Sequence, residues 1–81
     1  MRIVDVPLDK IYVPAARKKT LDEEKVVELA EDILENGLQK PIYVRLGKGR
    51  YVLQEGLHRV EAAKLLGETM IDGHIVAAQR K

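Results

Sequence analysis

The stretch that decides the fold runs Gln54-Glu55-Gly56-Leu57-His58-Arg59-Val60-Glu61-Ala62-Ala63. The chain before Gly56 is β-prone and the chain after it is rich in helix formers, so this stretch predicts a strand that passes through a glycine into a helix. His58 and Arg59 fall in the first turn of that helix. Because N–H groups at a helix start have no partner within the helix, and the helix dipole adds positive charge there, the junction predicts an anion site.

Two residues of the junction suit a phosphate ligand in different ways. Gly56 lets a ligand approach the backbone because it carries no side chain. Arg59 offers a planar fork of N–H donors that matches phosphate oxygens. Cations at a helix N-terminus are slightly unfavourable, which suggests that they meet a negative ligand. The alternative is an ordinary helix start with two solvated cationic side chains, and the residues of the junction leave both interpretations open.

Outward from the junction, the clearest element is a helix that we predict over residues 21–35. Thr20 is followed three residues later by Glu23, the pattern of a capping box at a helix start. Asn36-Gly37 supplies a left-handed stop. Between these signals apolar residues recur at helical spacing, namely Val26, Leu29, Ala30, Ile33 and Leu34. Residues 12–19, which contain Pro14 and the basic run 17–19, predict a loop before this helix.

The remaining segments predict strands and one more helix. Residues 2–6 are β-prone and are closed by a turn at residues 7–9, where Pro7 removes a ladder donor. Residues 42–46 and 50–54 predict a hairpin around the turn at residues 47–49. Residues 58–66 predict the second helix, and residues 70–77 predict a last strand. This order predicts an α+β fold, a small mixed sheet of about four strands with two main helices packed against it.

Composition limits the size of the fold and the class of partner. With 81 residues the chain has room for one core, so we expect residues 1–81 to form a single domain. Its net charge of +1 is too balanced for the broad basic surface of many DNA-binding proteins, so an anion site must be local. The chain contains no cysteine, hence no redox thiol, which fits a cytoplasmic location. No apolar run is long enough to predict a membrane span.

The junction and its flanks resemble the ParB/sulfiredoxin superfamily. Residues 56–63 are similar to the phosphate-binding turn of that superfamily, and residues 4–8 are similar to its opening strand. Residues 21–33 resemble its first helix, and Gly37-Leu38-Gln39-Lys40-Pro41-Ile42 resembles the connection that follows in ParB proteins. The resemblance covers nearly the whole chain. It implies ATP or CTP, with Mg²⁺, as ligand, and no structural metal.

The corresponding turn of sulfiredoxins carries the sequence Gly-Gly-Cys-His-Arg, in which the cysteine is the nucleophile. In this chain Leu57 stands at the cysteine position. The resemblance therefore implies that His58 and Arg59 are phosphate ligands, together with Gly56, but it does not imply sulfiredoxin activity. It also aligns Lys25 with a lysine that contacts nucleotide.

Two hydroxyl residues that accompany this lysine in sulfiredoxins are replaced here by Glu28 and Asp32. Carboxylates at these positions would repel phosphate unless a metal ion bridged them, so both are candidate metal ligands. The alternative is that they are solvated residues on a helix face.

The ParB form of the turn grips the triphosphate of CTP, and Arg59, Ala62 and Ala63 match it. This resemblance also places Arg17 close to the phosphates, with a solvated loop as the equal alternative. ParB proteins carry a second phosphate-binding segment and a helix-turn-helix beyond the length of this chain. Operator binding is therefore not expected from this polypeptide, and DNA binding is possible by resemblance alone.

Three functions remain open. The first, which we favour, is a nucleotide- or phosphate-binding module without turnover. The second is a Mg²⁺-dependent NTPase, kinase-like enzyme or nuclease, with Glu55 and His58 as candidate catalytic residues. The third is a protein-interaction domain that has lost its ligand. His74, in the last predicted strand, is expected at the surface or at a sheet edge. With His58 as the other histidine of the chain, a histidine-based metal site is not expected.

Overall fold

The computed structural model describes residues 2–38 and 40–76, and their fold is a mixed α+β arrangement. The strands are β1 (Ile3–Pro7), β2 (Ile11–Tyr12), β3 (Ile42–Leu46), β4 (Tyr51–Glu55) and β5 (Met70–Val76). The helices are α1 (Ala15–Lys18), α2 (Glu23–Asn36) and α3 (Leu57–Leu65), with a 3₁₀ turn at Leu8–Lys10. No helix in the described residues is long and apolar enough to cross a membrane.

The strands form one sheet in the order β1-β5-β3-β4-β2. β3 pairs in parallel with β5 and antiparallel with β4, while β1 is antiparallel to β5. The hairpin between β3 and β4 closes at Gly47, whose N–H donates to the carbonyl of Arg50 at 2.9 Å. The parallel strands β3 and β5 are connected through β4 and α3, and α3 is the helix that such a crossover usually contains. This topology places β3 at the centre of the sheet and the start of α3 next to its first residue.

The main core lies between one face of the sheet and α3. Its largest fully buried side chains are Val6, Ile42, Val44, Leu53 and Val60. Each apolar side chain of this size contributes about 1.5–3 kcal/mol when buried. A second cluster joins α2 to α3 and consists of Val26, Ala30 and Ala62, with partly buried leucines and Ile33 around it. Ala62 is small, so α2 packs closely on α3.

The predicted helix is confirmed as α2, but its start differs from the capping-box prediction. Asp22 is the N-cap: its Oδ1 accepts hydrogen bonds from the N–H of Glu24 at 3.0 Å and of Lys25 at 3.4 Å. Thr20 instead donates its hydroxyl proton to the carbonyl of Arg17 at 2.7 Å. Threonine and aspartate are both preferred N-cap residues, and Asp22, which is closer to the apolar repeat, caps α2.

The prediction of a loop over residues 12–19 is wrong for Tyr12 and for residues 15–18. Tyr12 closes the short strand β2, which pairs in parallel with β4, and residues 15–18 form α1. The sheet therefore has five strands where about four were predicted. The turn predicted at residues 7–9 begins one residue later, because Pro7 is the last residue of β1 and the 3₁₀ turn follows at Leu8–Lys10. Position 77, the predicted end of the last strand, and position 39 of the resemblance lie outside the described residues.

Candidate functional site

The junction between β4 and α3 makes its turn at a single residue. Gly56 has φ 111° and ψ 29°, a left-handed conformation that side chains disfavour. A Cβ atom at this position would also stand 2.6 Å from Cγ2 of Ile42, the first residue of β3. Glycine is therefore needed here for two reasons, and its presence sets the direction in which α3 leaves the sheet.

The first turn of α3 presents backbone N–H groups that no side chain in the described part of the chain caps. The hydrogen bonds of the helix begin with Val60, whose N–H donates to the carbonyl of Gly56 at 3.0 Å. The three preceding amides, those of Leu57, His58 and Arg59, belong to the helix start that has no intrahelical acceptor. α2 differs, since Asp22 caps it. The start of α3 is thus the helix end at which an anion can bind the backbone.

The side chain of Leu57 is buried in the main core and is 9% exposed. This is the position at which the resemblance places the sulfiredoxin cysteine. Leucine has no nucleophilic atom, and its side chain packs among apolar residues here. Leu57 can therefore contribute its backbone N–H to a ligand and packing to the core.

His58 joins the starts of the two long helices. Its Nε2 atom accepts a hydrogen bond from the backbone N–H of Asp22 at 3.0 Å, across 36 residues of sequence. A ring nitrogen that accepts must be unprotonated, so the proton of the neutral ring lies on Nδ1. This bond brings the N-cap of α2 against the first turn of α3.

Arg59 is half-buried, and its Nη1 donates to the carbonyl of Pro41 at 3.4 Å. Pro41 directly precedes β3. One long hydrogen bond uses one of the five N–H donors of a guanidinium. The guanidinium is therefore held beside the junction with donors left for phosphate oxygens.

Lys25 and Arg17 lie on the two helices that precede the junction in the chain. Lys25 is exposed in the first turn of α2, three residues after Asp22. The bond between Asp22 and His58 therefore brings this turn of α2 to the junction. Arg17 is exposed on α1, which ends four residues before Asp22.

The acidic candidates are separate, exposed carboxylates. Glu55 ends β4 opposite Tyr43, while Glu28 and Asp32 lie one helical turn apart on α2. Oδ1 of Asp32 accepts a hydrogen bond from Nδ2 of Asn36 at 2.9 Å. Within residues 2–38 and 40–76, no three histidine, aspartate or glutamate side chains gather closely enough to hold a metal ion.

His74 lies on the opposite face of the sheet from the core, because Gly73 before it is buried against Val6 and Ile42. Its ring centroid is 5.2 Å from that of Tyr43, and its Nδ1 lies 3.2 Å from the carbonyl of Arg2. His74 was expected at the surface or at a sheet edge: its partly exposed side chain agrees with the first alternative, while the second is excluded because β5 is flanked by β1 and β3. This strand gained its inner position through pairing with two distant segments.

A cleft of 380 Å³ borders the junction. Leu57 is shared by the cleft and the junction, and Lys18 and Lys64 bring positive charge to its wall. The full lining is Ile11, Tyr12, Val13, Lys18, Leu21, Leu57, Glu61 and Lys64. The sequence reasoning missed this cleft and also missed Asp22. A signal for Asp22 existed, because aspartate immediately before a helical repeat is a preferred N-cap.

The fold and this strand-glycine-helix junction define a member of the ParB/sulfiredoxin superfamily. Residues 1–81 match the family model of the ParB N-terminal domain, and the chain belongs to that family. It is 45% identical over 65 residues to the chloroplastic/mitochondrial sulfiredoxin of Arabidopsis thaliana, a match that covers 80% of this chain and 52% of that protein. It is 32% identical over 81 residues to the probable chromosome-partitioning protein ParB of Helicobacter pylori, covering 99% of this chain and 28% of that protein.

Solved structures give the same assignment of the fold. The crystal structure of the Arabidopsis thaliana sulfiredoxin aligns with a TM-score of 0.85 at 40% identity, over 96% of this chain and 88% of that one. The Caulobacter crescentus ParB complexed with CTP-gamma-S aligns with a TM-score of 0.83 at 24% identity, over 98% of this chain and 46% of that one. A free serine kinase in complex with ADP aligns with a TM-score of 0.81 at 23% identity, over 94% of this chain and 31% of that one.

The chain spans about half the length of the curated sulfiredoxin and 28% of the curated ParB. What the matches share with this chain is the ParB N-terminal fold.

Proposed function

We propose that this chain binds a nucleoside triphosphate, ATP or CTP, at the β4–α3 junction, without the cysteine chemistry of sulfiredoxins. The observation that carries the proposal is the uncapped start of α3 directly after a left-handed glycine, with the guanidinium of Arg59 beside it. Structural neighbours in complex with CTP-gamma-S and with ADP support a nucleotide as the ligand.

Each group of the junction has a distinct role in this proposal. The backbone N–H groups of residues 57–59 donate to the oxygens of one phosphate, where the helix dipole adds positive charge. Arg59 donates from its guanidinium to the same or the next phosphate. Lys25 supplies a mobile ammonium from α2, and Arg17 supplies long-range attraction from α1. The cleft whose lining includes Leu21 and Leu57 borders this site, and these two side chains offer an apolar surface for the base or ribose.

The absence of sulfiredoxin activity follows from chemistry. That reaction needs a thiolate nucleophile, and the chain has no cysteine. The side chain of the buried leucine at position 57 has no lone pair to replace that nucleophile.

Thermal unfolding with and without nucleotide tests the proposal. At a ligand concentration about one hundred times Kd, binding adds about 2.7 kcal/mol to the stability of the folded state. For a chain of this size this corresponds to a rise in Tm of roughly 10–20 °C. We expect that rise in wild type and in Arg2→Ala, a control that removes one exposed arginine elsewhere, and a much smaller one in Arg59→Ala. Equal rises in all three proteins, or none in wild type, would overturn the proposal.

A further inference from the structure

The hydrogen bond from the N–H of Asp22 to Nε2 of His58 crosses between the two helix starts. Resemblance to sulfiredoxins assigns the histidine side chain to a phosphate. We infer that in this chain His58 is instead a positioning residue, a neutral hydrogen-bond acceptor that holds the first turn of α2, with Lys25, against the phosphate-binding start of α3. This inference rests on the proposed nucleotide site and deepens it.

The chemistry of the ring supports this role. Nε2 is occupied by the Asp22 N–H at 3.0 Å, and only an unprotonated nitrogen can accept that proton. Protonation would place an N–H donor opposite another N–H donor and break the link. A cationic imidazolium that binds phosphate and an acceptor that binds Asp22 are therefore mutually exclusive states at this nitrogen.

The position of the bond explains why it matters for a ligand. The Asp22 carboxylate caps α2 by accepting hydrogen bonds from the amides of Glu24 and Lys25. The same residue thus makes hydrogen bonds to α2 with its side chain and to α3 with its backbone N–H. Its carboxylate orders the first turn of α2, while its N–H ties that turn to α3. Elsewhere the two helices meet through the small apolar cluster of Val26, Ala30 and Ala62. The hydrogen bond between Asp22 and His58 fixes the N-terminal end of α2, where Lys25 lies.

The two roles predict opposite dependence of binding on pH. If His58 acts as an acceptor, protonation of the ring breaks its bond to Asp22, so the affinity for phosphate falls as the pH is lowered from about 8 to about 5. If it acts as a cation, the affinity rises. Other charged side chains on α1, in the first turn of α2 and at its N-cap, at the end of β4 and on α3 include Arg17, Lys18, Asp22, Glu24, Lys25, Glu55, Arg59 and Glu61. All of them are common to wild type and to His58→Gln, whose side-chain oxygen is an acceptor at every pH in this range. The ratio of the affinity of wild type to that of His58→Gln therefore reports the effect of protonating His58 alone.

The experiment measures the affinity for inorganic tripolyphosphate by calorimetry at several pH values. The proteins are wild type, His58→Gln, His58→Ala and His74→Gln, the last being the same change at the other histidine. We expect His58→Gln and His74→Gln to bind within about threefold of wild type at about pH 8, and His58→Ala to bind about fivefold more weakly, which corresponds to about 1 kcal/mol for one positioning hydrogen bond. We expect the affinity of wild type to fall relative to His58→Gln on acidification.

A second readout observes the bond directly. In protein labelled with ¹⁵N, a scalar coupling between the Asp22 amide nitrogen and Nε2 of His58 reports the N–H···N bond. We expect the coupling in the free protein and its persistence at saturating tripolyphosphate. Its loss on binding, a rise in relative affinity at low pH, or equal weakening in His58→Gln and His58→Ala would overturn the positioning role. Unchanged affinity in His58→Ala would overturn it too, while leaving the phosphate site intact. No binding to wild type would overturn the proposed function itself, and this role with it.

Discussion

A Cβ atom added to Gly56 would stand 2.6 Å from Cγ2 of Ile42, so the turn into α3 packs directly against the first residue of the central strand. Ile42 is fully buried and cannot move without disturbing the core. The shape of the proposed phosphate site is therefore tied to the packing of the sheet.

Gly56→Ala should lower the free energy of unfolding by roughly 2–5 kcal/mol. The added methyl group overpacks the core, which costs about 1–3 kcal/mol, and the left-handed backbone costs about 1–2 kcal/mol more. Urea unfolding of the purified variant gives the value. Gly49→Ala is the matched control, because its φ of 66° is also left-handed but open space surrounds it. Equal losses for the two variants would contradict the close packing of Gly56 on Ile42.

Asp22→Ala should destabilise the protein more than Thr20→Ala does. Asp22 accepts two backbone hydrogen bonds at the start of α2, and loss of such a cap costs about 0.5–2 kcal/mol. Thr20 makes an exposed bond to the carbonyl of Arg17, so its loss should cost less than about 0.5 kcal/mol. Denaturant unfolding of both variants decides between the two caps. The reverse order would restore the capping box that the sequence indicated.

Lys25→Ala should weaken nucleotide binding about threefold to tenfold at low salt. Its ammonium is exposed, so its attraction to phosphate is moderate and screened by salt. The control is Lys48→Ala, which removes an exposed lysine from the hairpin turn. Calorimetric titrations with ATP at low and at moderate salt measure both effects. An identical small loss in the two variants would show that Lys25 acts through net charge alone.

The double variant Glu28→Gln, Asp32→Asn separates two interpretations of these carboxylates. If they are solvated residues of the helix face, their removal should raise the affinity for triphosphate without Mg²⁺ about twofold to fivefold, because like-charge repulsion across water is about 1 kcal/mol or less. Affinities measured with and without Mg²⁺ give the comparison. If Mg²⁺ strengthens binding to wild type and that gain disappears in the variant, the two residues are metal ligands instead.

Much of the fold could be predicted from local patterns. β3 was predicted at the residues where it occurs, because a proline and a glycine turn enclose a short β-prone segment. α2 followed from its apolar repeat, and the start of α3 followed from Gly56. β2 was missed because two residues become a strand only through pairing with Tyr51 and Val52, far along the chain.

The site was predictable in part for the same physical reason. Gly56 and the cations after it are adjacent in sequence, so their meeting at a helix start could be predicted. The bond between Asp22 and His58 joins residues 36 positions apart, and no local pattern encodes it. The inner position of His74 likewise depends on the order of the strands in the sheet.

The most direct test of the account is a ¹H–¹⁵N NMR titration of the wild-type chain with ATP and with CTP, each with and without Mg²⁺. The account predicts saturable shifts that cluster in the amides of residues 56–60 and of Lys25, with small changes across β1 and β5. Silence of these amides at millimolar nucleotide, or shifts centred on another surface, would contradict a nucleotide site at the start of α3.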